Sequence, residues 1–141
     1  MSPLAPLPSG AMVEELRDSA QWTLHEMSGT RARASMVLDE RHHQPFGIVH
    51  GGVYAIAVEG LASAGACAAV EDRGLVAVGT TNTTDFLRPF SRGTLDLLAT
   101  PLFQGRTQQL WQVDITREDG KLVARGQLRL TNIPRPPDPA A

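Results

Sequence analysis

Hydrophobic and polar positions change period twice along the chain, and the changes divide it into elements. Gly10–Ala20 has apolar residues at Met12, Val13 and Leu16, the spacing of a short amphipathic helix with Ser9 as its cap. Trp22–Met27 and Thr30–Leu38 then flank the turn signal Ser28-Gly29, which predicts a hairpin. In its second strand Thr30, Ala32, Ala34, Met36 and Leu38 fall on one face, and Arg31, Arg33 and Ser35 on the other. Asp39–Val49 is polar and holds Pro and Gly, and reads as a loop. Gly51–Val70 contains seven alanines, four glycines and a single charge, Glu59. It is apolar nearly all round, which predicts a buried helix about 30 Å long. That length would also span a bilayer. Its Ala/Gly content, its mid-helix carboxylate and the soluble character of the rest argue against a span. After Asp72-Arg73-Gly74 the period becomes two. Four strands are predicted, Leu75–Phe90, Thr94–Phe103, Thr107–Arg117 and Lys121–Ile133, separated by Gly-containing polar breaks of the hairpin kind. In the last, Leu122, Ala124, Gly126, Leu128 and Leu130 alternate with Val123, Arg125, Gln127 and Arg129.

The order β-β-α-β-β-β-β leaves one long helix in need of a covering surface. A curved antiparallel sheet wrapped around it is the economical α+β solution, the hotdog architecture. Such a sheet keeps exposed edges and leaves part of the helix uncovered. Pairing two copies into one continuous sheet would remedy both, so a twofold dimer is the expected minimum. The expected domain is 10–133, between flexible Pro-rich tails at 1–9 and 134–141.

Composition narrows the function. The chain has 141 residues, 42% hydrophobic and 20% charged, enough for one core without staples. A single cysteine, Cys67, excludes an intramolecular disulfide and a Cys-based zinc finger. A net charge of −2 and a pI near 6.0 argue against a nucleic-acid partner. No charged segment followed by an apolar run opens the chain, so the expected setting is the cytoplasm. Neither a metal nor an organic cofactor is expected. His42-His43 lacks further ligands at metal spacing, Ser63 lacks a nucleophile elbow, and Cys67, Trp22 and Trp111 read as core.

Three features could carry chemistry. Glu59 is a lone carboxylate in an apolar helix, costly to bury unless paired or used. A solvated gap or an ion pair with a distant Arg would explain it equally well. His50-Gly51-Gly52 opens the helix, where first-turn N–H groups lack intrahelical partners and can hold a developing oxyanion. Two adjacent glycines alone are more simply a loop-to-helix turn. Gln44, six residues before His50, brings a donor and an acceptor and signals nothing by itself.

Taken together, the run His43-Gln44-Pro45-Phe46-Gly47-Ile48-Val49-His50-Gly51-Gly52-Val53-Tyr54 with Glu59 and Ser63 resembles the hotdog acyl-CoA thioesterases. It is most similar to the 4-hydroxybenzoyl-CoA thioesterase branch with a mid-helix acid and to the PaaI-like phenylacetate-pathway enzymes. Asn82–Arg88, Gly105–Trp111 and Ala124–Arg129 resemble later strands of that branch, so the likeness covers about residues 20 to 133. The resemblance implies a hydrolase releasing free acid and coenzyme A from an aromatic or short-to-medium acyl-CoA. It implies that Gly51 N–H polarises the thioester carbonyl, with His50 and Gly52 binding the substrate beside it. Gln44 would orient that carbonyl, and Glu59 would attack it or activate water. Ser63 would steady the carboxylate or the water, where relatives often carry Thr. Arg88 and the Arg106-Thr107 turn are the favoured partners of the coenzyme A phosphates, with Arg92 and Arg135 as weaker candidates. It also implies a homodimer, assembling into a homotetramer. A non-catalytic acyl-CoA-binding hotdog module is the alternative; a hotdog dehydratase would call for a His-based acid/base arrangement.

Gly51 and Glu59 stand eight residues apart, about 12 Å along a helix. One thioester carbon needs its oxyanion donor and its nucleophile each at about 3–3.5 Å. One helix cannot easily provide both, whereas two antiparallel helices side by side can.

Overall fold

The computed structural model describes residues 18–138. The helix expected over Gly10–Ala20, with its Ser9 cap, lies almost wholly outside them. Strands β1 (Thr23–Met27) and β2 (Ala32–Leu38) form the hairpin, followed by a 3-10 turn at Glu40–His42 and helix α1 (Gly51–Val70). Strands β3 (Leu75–Phe86), β4 (Gly93–Gln104), β5 (Gln108–Arg117) and β6 (Leu122–Pro134) complete one sheet in the order β1-β2-β4-β5-β6-β3. Every neighbouring pair is antiparallel. This is the hotdog fold, with the helix seated in the curve of the sheet.

The inward face is drawn from alternate positions, as the period of two requires. Ala32, Ala34, Met36 and Leu38 of β2 are buried beside Leu95, Leu97 and Ala99 of β4, Trp111, Val113 and Ile115 of β5, and Leu128 and Leu130 of β6. Against them α1 lays a stripe at spacings of three and four: Val53, Tyr54, Ala57, Val58, Leu61, Ala62, Gly65 and Ala66. Small residues set the approach. A Cβ on Gly65 would stand 2.7 Å from the Trp111 ring, and one on Gly126 would stand 2.6 Å from Val58. Gln109, 1% exposed, knots the far end of the helix to the sheet. Its amide donates to Ala66 O at 3.0 Å and Asn132 Oδ1 at 2.9 Å, and its carbonyl accepts from Trp111 Nε1 at 2.8 Å. Trp111 is therefore core, as expected. Trp22 is partly buried against the core, and Cys67 is half-buried against Ala77 of β3.

Three expectations need correction. The helix is not buried all round: Glu59 and Gly60 are exposed, and Ala55, Ile56, Ser63 and Ala64 are half-exposed on the side away from the sheet. Strict alternation fails at the start of β6, where the register slips between Ile115 and Thr116. The bulge turns Val123 into the core beside Ala124, although the alternation groups it with Arg125. β3 leaves the ladder at Phe86 rather than Phe90, because Leu87 and Arg88 both donate to the Val123 carbonyl and Pro89 has no N–H to continue. At the other end, β6 takes in Pro134, opposite Leu75.

The Gly65–Trp111 contact generates a test. Ala gains up to about 1 kcal/mol over Gly in a helix interior. Overpacking a tight core costs about 1–3 kcal/mol. Gly65→Ala is therefore expected to lower the denaturant midpoint, with a net loss of about 1 kcal/mol. A variant as stable as the parent would contradict the packing described.

Candidate active site

The loop before α1 is pinned at both ends. Asp39 caps the 3-10 turn, accepting from Arg41 N–H at 3.0 Å, while its own N–H donates to His42 Nδ1 at 3.0 Å. The Arg41 guanidinium beside Asp39 holds its carboxyl well below the usual carboxylate range. His42, 4% exposed, also meets Ser19 Oγ at 2.9 Å, so this histidine is a structural staple. His50 N–H donates to His42 O at 2.8 Å, Val49 N–H to Phe90 O at 2.8 Å, and His43 Nε2 lies 2.7 Å from Ser91 O. Between these ties the chain makes a tight turn. Gln44 N–H donates to Ile48 O and Gly47 N–H to Gln44 O, with Gly47 at φ +81, a left-handed conformation that favours glycine.

The loop, the start of α1 and the segment after β3 enclose an open cleft of about 270 Å³. Gln44, Gly51, Tyr54, Phe86 and Arg88 line it together with apolar Ile48, Val49, Leu87 and Phe90. His50 is the helix N-cap: its Nδ1 accepts from Gly52 N–H at 2.8 Å, and its carbonyl accepts from Val53 N–H at 3.0 Å. That leaves Gly51 N–H, which has no acceptor among the described residues. It sits at the positive end of the helix dipole, in the cleft wall. A Cβ on Gly51 would fall 2.2 Å from the exposed Phe86 ring, so any side chain here would displace that ring from the cleft wall. The Gln44 side-chain carbonyl accepts from Phe46 N–H, which leaves its amide N–H groups uncommitted.

Glu59 is not in this cleft. It stands on the exposed side of α1, near Gly79 of β3, without an ion-pair or hydrogen-bond partner among the described residues. The distant-Arg ion pair is therefore absent among the described residues. Ser63 follows one turn later on the same side. β3 runs alongside this face: Asn82 Nδ2 donates to Ala55 O at 2.9 Å, and Thr84 Oγ1 to Asn82 Oδ1 at 2.7 Å. β3 is also a sheet edge of twelve mostly exposed residues, so its outer backbone groups pair with no strand among the described residues.

The arginines separate. Arg88 is exposed at the cleft, with one guanidinium nitrogen donating to Leu122 O at 2.7 Å. Arg106-Thr107 lies at the opposite end of the helix, where Arg106 O accepts from Arg73 and Asn132. Arg92 pairs with Glu40, and Arg135 is exposed beyond β6. One chain thus brings together Gln44, His50, Gly51, Gly52 and Arg88, but not Glu59, Ser63, Arg106 or Thr107. Sequence reasoning missed Tyr54 and Phe86 as cleft residues. The signal for Phe86 was an aromatic closing the polar second half of β3, Thr80–Asp85; Tyr54 had none, because its helical spacing reads as core.

The profile of the thioesterase superfamily matches residues 46–124. The candidate esterase Rv1847 of Mycobacterium tuberculosis is 43% identical over 110 residues, covering 77% of this chain and 79% of that one. Its solved structure superposes with a TM-score of 0.82 at 39% identity, over 87% of this chain and 99% of that one. Thioesterase HI1161 of Haemophilus influenzae superposes with a TM-score of 0.75 at 34% identity, over 84% and 82%. The proofreading thioesterase EntH of Cronobacter sakazakii is 36% identical over 95 residues, 67% of this chain and 69% of that one. The chain belongs to the thioesterase superfamily and is a hydrolase acting on thioesters.

The cap at His50 separates helix integrity from any other role of that side chain. Asn is a strong N-cap. His50→Asn is expected to keep both unfolding midpoint and turnover near the parent values, whereas His50→Ala loses about 1 kcal/mol of stability, typical of a lost cap. Thermal unfolding and a thioester assay on both variants check this. Equal activity losses in Asn and Ala, with stability unchanged, would show that the imidazole acts on the substrate instead.

Proposed function

We propose that this member of the thioesterase superfamily hydrolyses aromatic or short-to-medium acyl-CoA thioesters to free acid and coenzyme A, at a site assembled from two copies of the chain. The branch with a mid-helix acid, PaaI-like in character, is the one its motif fits. The observation that carries the reading is the uncommitted Gly51 N–H facing an apolar cleft, on a helix whose free carboxylate lies out of its reach.

In this reading the thioester carbonyl oxygen accepts from Gly51 N–H, and the free amide of Gln44 turns toward it. The acyl group lies against Ile48, Val49 and Phe86. Charge developing on the oxygen meets the helix N-terminus, where a preorganised donor favours the transition state over the ground state. Glu59 of a second copy approaches across the exposed helix faces, which antiparallel pairing at the β3 edge would bring side by side. It either attacks the carbonyl carbon, giving a mixed anhydride that water then cleaves, or takes a proton from the attacking water. Both routes expel the coenzyme A thiolate and end in acid and thiol. Ser63, one turn from Glu59, is placed to steady the carboxylate or the water.

Antiparallel pairing also answers the separation of the arginines. The C-terminal end of one helix would lie beside the N-terminal end of the other. The Arg106-Thr107 turn of the second copy would then join Arg88 at the cleft mouth, where coenzyme A phosphates need cationic partners. A dimer is thus the catalytic unit, pairing further into a tetramer, and the cytoplasm its setting.

Thiol release from a panel of acyl-CoAs tests the reading. Glu59→Gln and Glu59→Ala are expected to keep the fold, since the side chain is exposed, and to lose about a hundredfold or more in kcat, the lower end of the ~10²–10⁴ that a positioned acid or base contributes. Retention of more than about a tenth of wild-type turnover, less than roughly 1.4 kcal/mol of barrier, would contradict the role. Binding of acyl-CoA by the wild-type protein without thiol release would point to a binding module.

A further inference from the structure

The Trp111 indole N–H can only donate, and that fixes a chain of side-chain amides. It donates to Gln109 Oε1 at 2.8 Å, so the Gln109 amide nitrogen turns the other way and donates to Asn132 Oδ1 at 2.9 Å. Asn132 therefore presents its own Nδ2 to the turn before β5. Nδ2 donates to Gly105 O at 3.3 Å and to Arg106 O at 3.2 Å, and the Asn132 backbone N–H donates to Thr107 O at 2.8 Å. Arg106 O also accepts from Arg73 at 3.0 Å. The hairpin itself is closed by Gly105 N–H donating to Gln108 O at 2.8 Å. Asn132 takes the three successive carbonyls besides, from a position in β6 held opposite Ala77 of β3.

A trans peptide points its C=O and its N–H in opposite directions. Gly105 O and Arg106 O are drawn toward Asn132, so the N–H groups of Arg106 and Thr107, which share those two peptide planes, point away from it. Neither N–H has an acceptor among the described residues. The Arg106 guanidinium and the Thr107 hydroxyl have no partner there either, and both residues are exposed. Donors thus gather on one side of the turn, while the carbonyl oxygens that would repel an anion are tied on the other. Successive backbone N–H groups held outward in this way form an anion-binding concavity.

Resting on the reading above that this turn meets the coenzyme A phosphates, we infer that Asn132 is a positioning residue for the nucleotide end of the substrate. It touches no substrate itself. It orients two peptide groups so that their N–H groups face a phosphate together with the Arg106 side chain. A turn ordered before the ligand arrives removes an entropic cost from association. The effect belongs to binding rather than to the chemical step, because Asn132 is no part of the cleft that holds Gly51.

Steady-state kinetics of Asn132→Ala with benzoyl-CoA and with benzoyl-pantetheine, which lacks the phosphates, tests this. KM for benzoyl-CoA is expected to rise about tenfold with kcat within about twofold of the parent, the mark of binding lost equally from ground and transition state. Both constants for benzoyl-pantetheine are expected to stay at the parent values. A merely structural lesion would move both substrates alike; that result, or an unmoved KM for benzoyl-CoA, overturns the proposal. Arg106→Ala, measured beside it, reads whether the turn meets phosphates at all. A split between the substrates in Arg106→Ala but none in Asn132→Ala overturns the role of Asn132 alone, and no split in either overturns the phosphate reading of the turn with it. If Ala prevents folding, Asn132→Ser keeps one hydroxyl donor and is expected to show the same split at about threefold. Calorimetric binding of free coenzyme A and of pantetheine to the same variants reads the contact without turnover. Weakened binding of coenzyme A alone sustains the role of Asn132 even if benzoyl-CoA is not hydrolysed. Equal binding of coenzyme A by the parent and Asn132→Ala overturns it.

Discussion

A helix that is apolar on nearly every side needs two covering surfaces, and one sheet supplies one. The rest of this molecule follows from that constraint. The concave face of the six strands takes the stripe from Val53 to Ala66, close enough that Gly65 and Gly126 have no room for a side chain. The opposite face carries Ile56, Glu59, Gly60 and Ser63 to the surface, beside a sheet edge whose outer hydrogen bonds are unmade. The helix is long and apolar enough to cross a membrane, yet half of it is spent on the sheet. A second copy, as proposed above, would satisfy the helix face and the strand edge in one contact. The one carboxylate of that face is then the group the contact would place.

The chemistry at the helix start depends on how firmly that start is held. Asp39, His42 and Ser19 fix the loop at one end, and Val49 and His43 tie it to Phe90 and Ser91 at the other. His50 takes the Gly52 N–H and leaves that of Gly51 free. The cap thus leaves one donor of the first turn free, in the wall of a largely apolar cleft, where under the proposed reading a hydrogen bond to developing negative charge would be strengthened. The bulge at Val123 contributes from a distance, because its carbonyl turns Leu87 and Arg88 out of the ladder to form the far wall.

Much of this was legible in the sequence. The helix bounds agree with Gly51–Val70 because His50-Gly51-Gly52 and the polar run Glu71-Asp72-Arg73-Gly74 punctuate it, and the strands announce themselves by a period of two. The bulge at Val123 was not legible, since alternation cannot show where one residue is inserted. Nor was the burial of His42, which depends on Ser19 23 residues earlier in the chain. Glu59 was marked by its type, and Gln44 and Gly51 only by the family resemblance, but the separation of Arg88 from Arg106 needs the strand order. Tyr54 was hidden because its place in the buried stripe reads as core, although the residue also lines the cleft.

The central claim is that Gly51 of one chain and Glu59 of another serve the same thioester. Two variants inactive by themselves test it directly: Glu59→Ala, and Gly51→Pro, which lacks the N–H, or Gln44→Ala if that proline prevents folding. In a mixed dimer one site would hold both lesions and the other neither. Random mixing makes half the dimers mixed, each with one intact site of two, so refolding the pair together should restore about a quarter of wild-type thiol release. No recovery, with subunit exchange confirmed by mass spectrometry, would place the whole site within one chain and contradict the account.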